Sequence, residues 1–433
     1  MTVFAFHKRQ FVNAFQRSLL LLIFMPFTAG VVRADTAEQL FHRHNASIVQ
    51  IKVIDIASES KSAIGSGFIV GDGRTIATNY HVISPLVSKP ERYRIELENQ
   101  GRRFSALKIL DVDVVNDLAL LRWDDGSGSA FELATDMPRQ GEPIYSFGNP
   151  MDIGMTVVPG TYNGIKKKSF FSRVHLTASI NPGMSGGPAL DQQGRVVGIN
   201  VSTAGNQISF VVPVDRLQAL LALQQQLDHS DDPKERMREQ LLQLQRQMFG
   251  QVIGADWHQD QVGSGRIIGE MVPFVLCWGG SQDAKKTGLE TISKGCHSDN
   301  HVYLSSNFTT GFFEYEFSYL HGEELSSWKF YNAVAKAFSG ARPGNRVSKD
   351  NVTNYQCHDG FFKPTSKGAE IVYKAYFCAR QYKDFPSLYD VFYIAATLNQ
   401  SNQALITHFT LSGIEKDLAM DFTEKFVGSL GWN

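Results

Sequence analysis

The segment Asn181-Pro-Gly-Met-Ser-Gly-Gly-Pro-Ala-Leu190 constrains this chain more than any other stretch. It sets a serine in a glycine-rich turn, where Gly183, Gly186 and Gly187 permit backbone conformations that a Cβ would block. In such a turn the N–H groups of Gly183 and Ser185 can converge on one point. Convergent donors of this kind stabilise the negative charge that develops on a carbonyl oxygen in acyl transfer. A glycine turn with a serine is common, so its meaning depends on a base and an orienting acid elsewhere in the chain.

Both are present upstream. Thr78-Asn79-Tyr80-His81-Val82 follows the apolar runs Gly67-Phe-Ile-Val70 and Thr75-Ile-Ala77, which read as two short strands joined at Gly71-Asp-Gly73. Asn116-Asp117-Leu-Ala-Leu-Leu121 places an acid at the mouth of another apolar strand. The order His81, Asp117, Ser185 is that of the chymotrypsin-type triad, not that of subtilisin or the α/β-hydrolases. In that chemistry His81 removes the Ser185 proton and later donates it to the leaving amine, while Asp117 holds the imidazole tautomer.

With these residues in place the chain resembles the HtrA/Deg-type serine proteases of the trypsin-like fold. The matching pieces are Gly65-Ser-Gly-Phe68, Thr78-Asn-Tyr-His-Val82, Asp117-Leu-Ala-Leu-Leu121, Phe147-Gly-Asn-Pro150, Ile180-Asn-Pro-Gly-Met-Ser-Gly-Gly-Pro188 and Gly194-Arg-Val-Val-Gly-Ile-Asn200. Phe210-Val-Val-Pro-Val214 is similar to the strand that ends such a domain. The resemblance runs from residue 37 to 222 and implies proteolysis of unfolded or damaged envelope proteins, or a regulated cut in one target. Position 184 departs from the family: it is Met where relatives carry Asn or Asp. That leaves open what fixes the turn around Gly183. In this fold the floor of the pocket for the residue before the scissile bond falls at Ser179. With Ile180 and the strand Ile199-Asn200-Val201 it offers no negative charge, so a small or medium apolar residue is expected there. The family's usual companion is a peptide-binding PDZ domain, and its carboxylate-binding loop is absent from this sequence.

The whole chain, of 433 residues, suggests more than one domain. The expected organisation is a signal peptide over 1–34, a protease domain over 35–228, a helical linker over 229–260 and an α+β domain over 261–433. The fold class is mostly β: a trypsin-like double β-barrel, a connecting helix, then the α+β domain. Charge is balanced, 42 basic against 43 acidic residues, so no nucleic-acid or anionic-membrane partner is called for. The expected partner is a protein or peptide substrate, with homo-oligomers left open by the resemblance, and no cofactor or metal.

Lys8, Arg9 and Arg17, the apolar run Leu19–Met25 and Val32-Arg-Ala34 before Asp35 have the form of a secretory signal. Export to the periplasm or beyond follows; an uncleaved anchor is the alternative. All four cysteines, Cys277, Cys296, Cys357 and Cys378, fall in the C-terminal half. An even count in an exported chain favours two disulfides among three connectivities, with sequential pairing preferred over a Cys/His metal site. Met237, Leu241, Leu244 and Met248 form one apolar stripe of a helix that begins after Asp231-Asp-Pro233, read as a connector packed on one of the domains; a short coiled coil is the alternative. Helices are expected after Val214, with Leu217, Leu220, Leu221 and Leu227 in step, and over Ser327–Phe338 and Ile414–Leu430. Strands are expected over Ile267–Cys277, His301–Ser305, Gly311–Leu320, Glu370–Arg380, Leu388–Ala396 and Ala404–Leu411. Aromatics at Phe312–Phe317 and Phe361–Phe362 read as core and cross-strand packing. The competing functional reading is a catalytically silent trypsin-like protein that acts as a binding or chaperone-like module through its C-terminal domain.

Overall fold

Short apolar runs separated by Gly, Asn and Asp build two β-sheets in the first half of the chain. The structure, a computed structural model, describes residues 35–105, 107–226, 232–285, 287–299, 301–364, 371–398 and 400–433. The signal segment 1–34 and Leu227, Asp231 and Glu370 of the patterns above lie outside the described residues. Helix α1 (Ala37–His44) opens on a capping box, Thr36 with Gln39, and buries Leu40. It leads into β1 (Ile48–Asp55), β2 (Ser60–Val70) and β3 (Thr75–Thr78), then α2 (Tyr80–Ser88). Next come β4 (Tyr93–Asn99), β5 (Arg102–Phe104), β6 (Leu107–Asp113) and β7 (Leu118–Trp123). These seven strands form one antiparallel sheet in the order β5-β4-β1-β2-β3-β7-β6.

The expected pair of barrels is realised unequally. The first sheet does not close by hydrogen bonds, because β5 is only three residues long. Side chains bring its two sides together instead: Phe104 of β5 meets Trp123 of β7 edge to face, with ring centroids 4.9 Å apart. The second sheet is a closed barrel of β8 (Pro143–Gly148), β9 (Thr156–Ile165), β10 (Val174–Thr177), β11 (Pro188–Leu190), β12 (Val196–Gly205) and β13 (Ile208–Pro213). A shared layer that includes Phe68, Val70, Phe147, Leu190 and Val212 lies between the two sheets.

After β13 the hydrophobic period changes from two to that of a helix, giving α3 (Val214–Gln224) and α4 (Pro233–Gly254). Asp232 caps α4 and Pro233 occupies its first turn. The predicted stripe Met237, Leu241, Leu244 and Met248 is buried, but the helix does more than pack on one domain. Met237, Leu241 and Leu244 share a core with β1, α2 and β7, whereas Met248, Phe249 and Val252 enter the core of the C-terminal half. Adding Leu242, Phe249 and Val252 widens the apolar face beyond a coiled-coil seam.

The C-terminal half contains β14 (Gln259–Val262), β15 (Gly265–Ile268), β16 (Val275–Gln282), β17 (Glu290–Ser298), β18 (Val302–Ser305), β19 (Phe308–Thr310) and β20 (Phe313–His321). Then follow α5 (Ser327–Gly340), β21 (Gln356–Phe362), β22 (Val372–Gln381), β23 (Tyr389–Leu398), β24 (Gln403–Ile414), α6 (Lys416–Gly428) and β25 (Gly431–Trp432). Its main sheet is antiparallel, in the order β16-β17-β20-β24-β23-β22-β21. The period-two pattern Phe313-Glu-Tyr315-Glu-Phe317 puts three aromatics on the face covered by Phe249, Phe422 and Phe426 of α4 and α6. Helix α5 covers part of the opposite face through Phe330 and Val334. Phe361 is not core, as expected from sequence, but 67% exposed, with the Lys374 ammonium 4.5 Å above its ring. Strands β17 and β21 carry Lys, Gly, His and Asp with little apolar alternation, which is why the sequence pattern passes over them.

The cysteines pair sequentially, Cys277 with Cys296 and Cys357 with Cys378. In each case the partners stand directly opposite in register, so each disulfide staples an outermost strand of the large sheet to its neighbour.

Because Leu241 is 2% exposed within a core that both halves of the chain build, Leu241→Ala is expected to destabilise the protein by about 2–5 kcal/mol. Urea unfolding measures this; a loss below about 1 kcal/mol would mean that α4 is only loosely docked.

Candidate active site

Asp117 follows the turn that ends β6 and adopts a left-handed φ of 62°, which swings its carboxylate back over the start of α2. Both of its oxygens then serve His81. Oδ1 accepts the His81 backbone N–H at 2.8 Å, and Oδ2 lies 2.6 Å from Nδ1 of the imidazole. The Asp117 carbonyl is held in turn by the side-chain amide of Asn79, at 2.8 Å. A carboxylate can only accept, so Nδ1 carries the hydrogen and Nε2 is left with its lone pair in the neutral ring.

Helix α2 presents this imidazole under a local constraint. Pro85 has no N–H to give the carbonyl of His81, four residues earlier. The hydroxyl of Ser84 donates to that carbonyl instead, at 3.1 Å. Tyr80, the preceding residue, is fully buried and donates its hydroxyl to the carbonyl of Leu304 in β18 at 3.1 Å.

The Ser185 turn is built against the same segment. Ser66 of β2 is fully buried and makes two links to it: its N–H donates to the Ser185 carbonyl at 2.8 Å, and its hydroxyl donates to the Gly183 carbonyl at 2.7 Å. The same hydroxyl accepts the N–H of Asn149 at 3.0 Å. Gly65 beside it leaves room for close approach: a Cβ there would stand 2.5 Å from Val82 and 3.1 Å from the Ser185 carbonyl. Gly186 has a φ of 84°, and a Cβ on it would collide with Ser66 and Thr78. The Ser185 backbone is therefore packed against the strand and helix start that carry His81.

The peptide between Pro182 and Gly183 has a defined direction. The Pro182 carbonyl accepts the N–H of Met151 at 2.9 Å, and none of the described peptide bonds is cis. In a trans peptide the N–H points opposite to the C=O, so the Gly183 N–H faces away from Met151. Among the described residues no hydrogen bond takes up the N–H of Gly183 or of Ser185. Met184 answers what holds this turn without Asn or Asp: its side chain is fully buried in the barrel core with Ile144, Leu176, Ile180 and Val211.

The residues expected to line a substrate pocket differ in burial. Ile180 and Ile199 are buried in two different cores. Asn200 is also fully buried; its side-chain amide donates to the Phe147 carbonyl at 2.9 Å. Ser179 is exposed and Val201 half-buried. Two residues that the sequence reading gave no role belong to this neighbourhood. Ser66 was visible only as the middle of Gly65-Ser-Gly67. Tyr303, from the C-terminal half, had no signal at all; its ring lies 6.1 Å from that of His81 and nearly perpendicular to it.

Burial disfavours the imidazolium of His81, but the charge and hydrogen bond of Asp117 outweigh it and hold the pKa above the ordinary 6.5. A folded pKa raised above the unfolded one adds stability that is full below about pH 6.5 and is lost as pH rises through the raised value. General-base chemistry needs the neutral ring and so gains over the same interval. An NMR titration of His81 is expected to give a midpoint above 6.5 that falls in Asp117→Asn. A midpoint that Asp117→Asn leaves in place would show that the pair is not formed in solution.

Residues 65–199, which include His81, Asp117 and Ser185, match the family described as trypsin-like peptidase domain. Serine protease HTRA1A of Danio rerio is 35% identical over 182 residues, covering 40% of this chain and 36% of that protein. Protease Do-like 5, chloroplastic, of Arabidopsis thaliana is 29% identical over 211 residues, covering 41% and 65%. The chain thus spans less than two thirds of the length of these curated relatives. Among solved structures, the serine endoprotease from Yersinia pestis is 25% identical with a TM-score of 0.38, covering 44% of this chain and 66% of that one. Deg5 is 29% identical with a TM-score of 0.37, covering 42% and 89%. This chain carries a trypsin-like peptidase domain at residues 65–199 and has HtrA/Deg serine proteases among its homologues.

Proposed function

We propose that this protein is an exported serine endopeptidase working through an acyl-enzyme on Ser185. The observation that carries the reading is the His81–Asp117 pair, in which both carboxylate oxygens are committed to His81 and Nε2 is left as a base. Its supports are the Ser185 turn packed against Gly65 and Ser66, and the peptidase-domain match.

In this mechanism the Ser185 hydroxyl proton passes to Nε2 of His81 as Oγ bonds to the substrate carbonyl carbon. The oxygen of that carbonyl becomes an oxyanion that the N–H groups of Gly183 and Ser185 stabilise. The imidazolium, held by Asp117, then gives its proton to the amine as the C–N bond breaks. Water, deprotonated by the same imidazole, hydrolyses the ester and restores Ser185. Exposed Ser179 offers no carboxylate for a cationic side chain, which favours a small or medium apolar residue before the scissile bond. The pattern of residues 1–34 and the two disulfides support a periplasmic or secreted setting. Unfolded envelope proteins, or one regulated target, are the substrates this reading proposes. It takes 35–228 as the protease domain, 229–260 as its connecting segment and 261–433 as the α+β domain.

Wild type and Ser185→Ala are compared for labelling by a fluorophosphonate and for cleavage of unfolded casein. The wild type is expected to do both, with turnover at least about a thousandfold above the variant. Its kcat/KM should fall on the acid side at a pH above 6.5, where His81 protonates. Equal behaviour of the two proteins would remove the endopeptidase reading and leave a silent binding module.

A further inference from the structure

The C-terminal half reaches the candidate active site through one hairpin. Strands β18 and β19 pair antiparallel, and Val302, Leu304 and Phe308 enter the core that α2 shares with the first sheet. Tyr303, between them on β18, is half-buried and packs at the margin of the same core. There it meets α2. Its ring stands against the imidazole of His81, centroids 6.1 Å apart and planes at 78°.

On the endopeptidase reading the scissile bond must approach His81, so a half-buried ring against the imidazole stands at the edge of that approach. The His81 side chain itself is 28% exposed, so Tyr303 flanks the imidazole without sealing it. An aromatic ring suits the role because it presents rigid bulk with few side-chain torsions to order.

Resting on the endopeptidase reading above, we propose that Tyr303 is a specificity-determining residue: it forms a wall of the substrate cleft beside His81 and excludes large side chains from one position flanking the scissile bond. The C-terminal half thereby contributes directly to substrate choice.

The experiment uses the full-length protein as wild type, Tyr303→Ala, Tyr303→Phe and Tyr303→Leu. Each is profiled on a peptide library by mass spectrometry and labelled with a fluorophosphonate, which reads the nucleophile without a peptide side chain. For Tyr303→Ala the ratio of kcat/KM for Phe or Leu over Ala is expected to rise about tenfold or more at one flanking position. Phosphonate labelling reports whether the nucleophile is still formed in each variant, and Tyr303→Phe should keep the wild-type preference. Tyr303→Leu, which keeps apolar bulk, shows an intermediate ratio and serves if the alanine variant does not fold. A ratio that stays fixed in both alanine and leucine variants, or all substrates slowing equally, would overturn the proposal and make Tyr303 a purely structural contact. Wild type that neither labels nor cleaves would remove the endopeptidase reading itself; labelling with an unchanged ratio removes only the role of Tyr303.

Discussion

Helix α2, which carries His81, is held in a core to which both halves of the chain contribute, and the geometry of the site depends on that packing. Nine residues are too few for a helix to be stable alone, and Pro85 weakens this one further. Its stability comes from burying Tyr80, Val82, Ile83 and Val87. The partners lie on β1 and β7, on Met237 and Leu241 of α4, and on Val302, Leu304 and Phe308 of the distant hairpin. The Tyr80 hydroxyl adds a directional bond to the Leu304 carbonyl, whose position therefore bears on the angle at which α2 leaves β3. The support for the position of His81 thus comes from some 220 residues further along the chain, as the separation of 224 between Tyr80 and Leu304 records.

The serine turn depends on a different device. Where an Asn or Asp could have anchored position 184 by hydrogen bonds, Met184 anchors it by burial in the barrel core. Apolar anchoring is not directional, so the directional restraint passes to Ser66, whose hydroxyl joins Gly183 to Asn149. Gly148 is needed for the same reason: a Cβ there would stand 2.6 Å from the Met184 Cα. The motifs Gly65-Ser-Gly67, Phe147-Gly-Asn149 and Pro182-Gly-Met184 thus act as one interlocked unit.

The pairing of His81 with Asp117 and the tight turn at Ser185 were legible because these residue types are flanked by glycines and apolar strands in the sequence. The barrels, α4 and the paired cysteines were legible for a similar reason: periodicity and parity are local properties of a sequence. What was not legible is whatever depends on long-range packing. Tyr303 sits in an ordinary Val-Tyr-Leu strand, and nothing local reveals that its ring will meet His81. Ile180 and Ile199 look like pocket residues by position, yet closure of the barrel turns both into cores. Strands β17 and β21 escaped because their polar residues conceal the alternation, and the disulfides at the two edges of the sheet take part of the role that apolar burial has elsewhere. The apolar stripe of α4 was visible, but its division between two cores was not.

The dependence of α2 on the C-terminal hairpin is tested most directly by hydrogen–deuterium exchange of wild type and Phe308→Ala. Phe308 is 5% exposed and belongs to the core that includes Tyr80 and Leu304. A shared core predicts that amides of Tyr80–Ser88 and of Val302–Thr310 lose protection together in the variant, while the barrel strands Pro143–Gly148 and Val196–Gly205 keep theirs. Loss of protection in the hairpin alone, with α2 exchanging as in the wild type, would contradict the account and return the positioning of His81 to the first half of the chain.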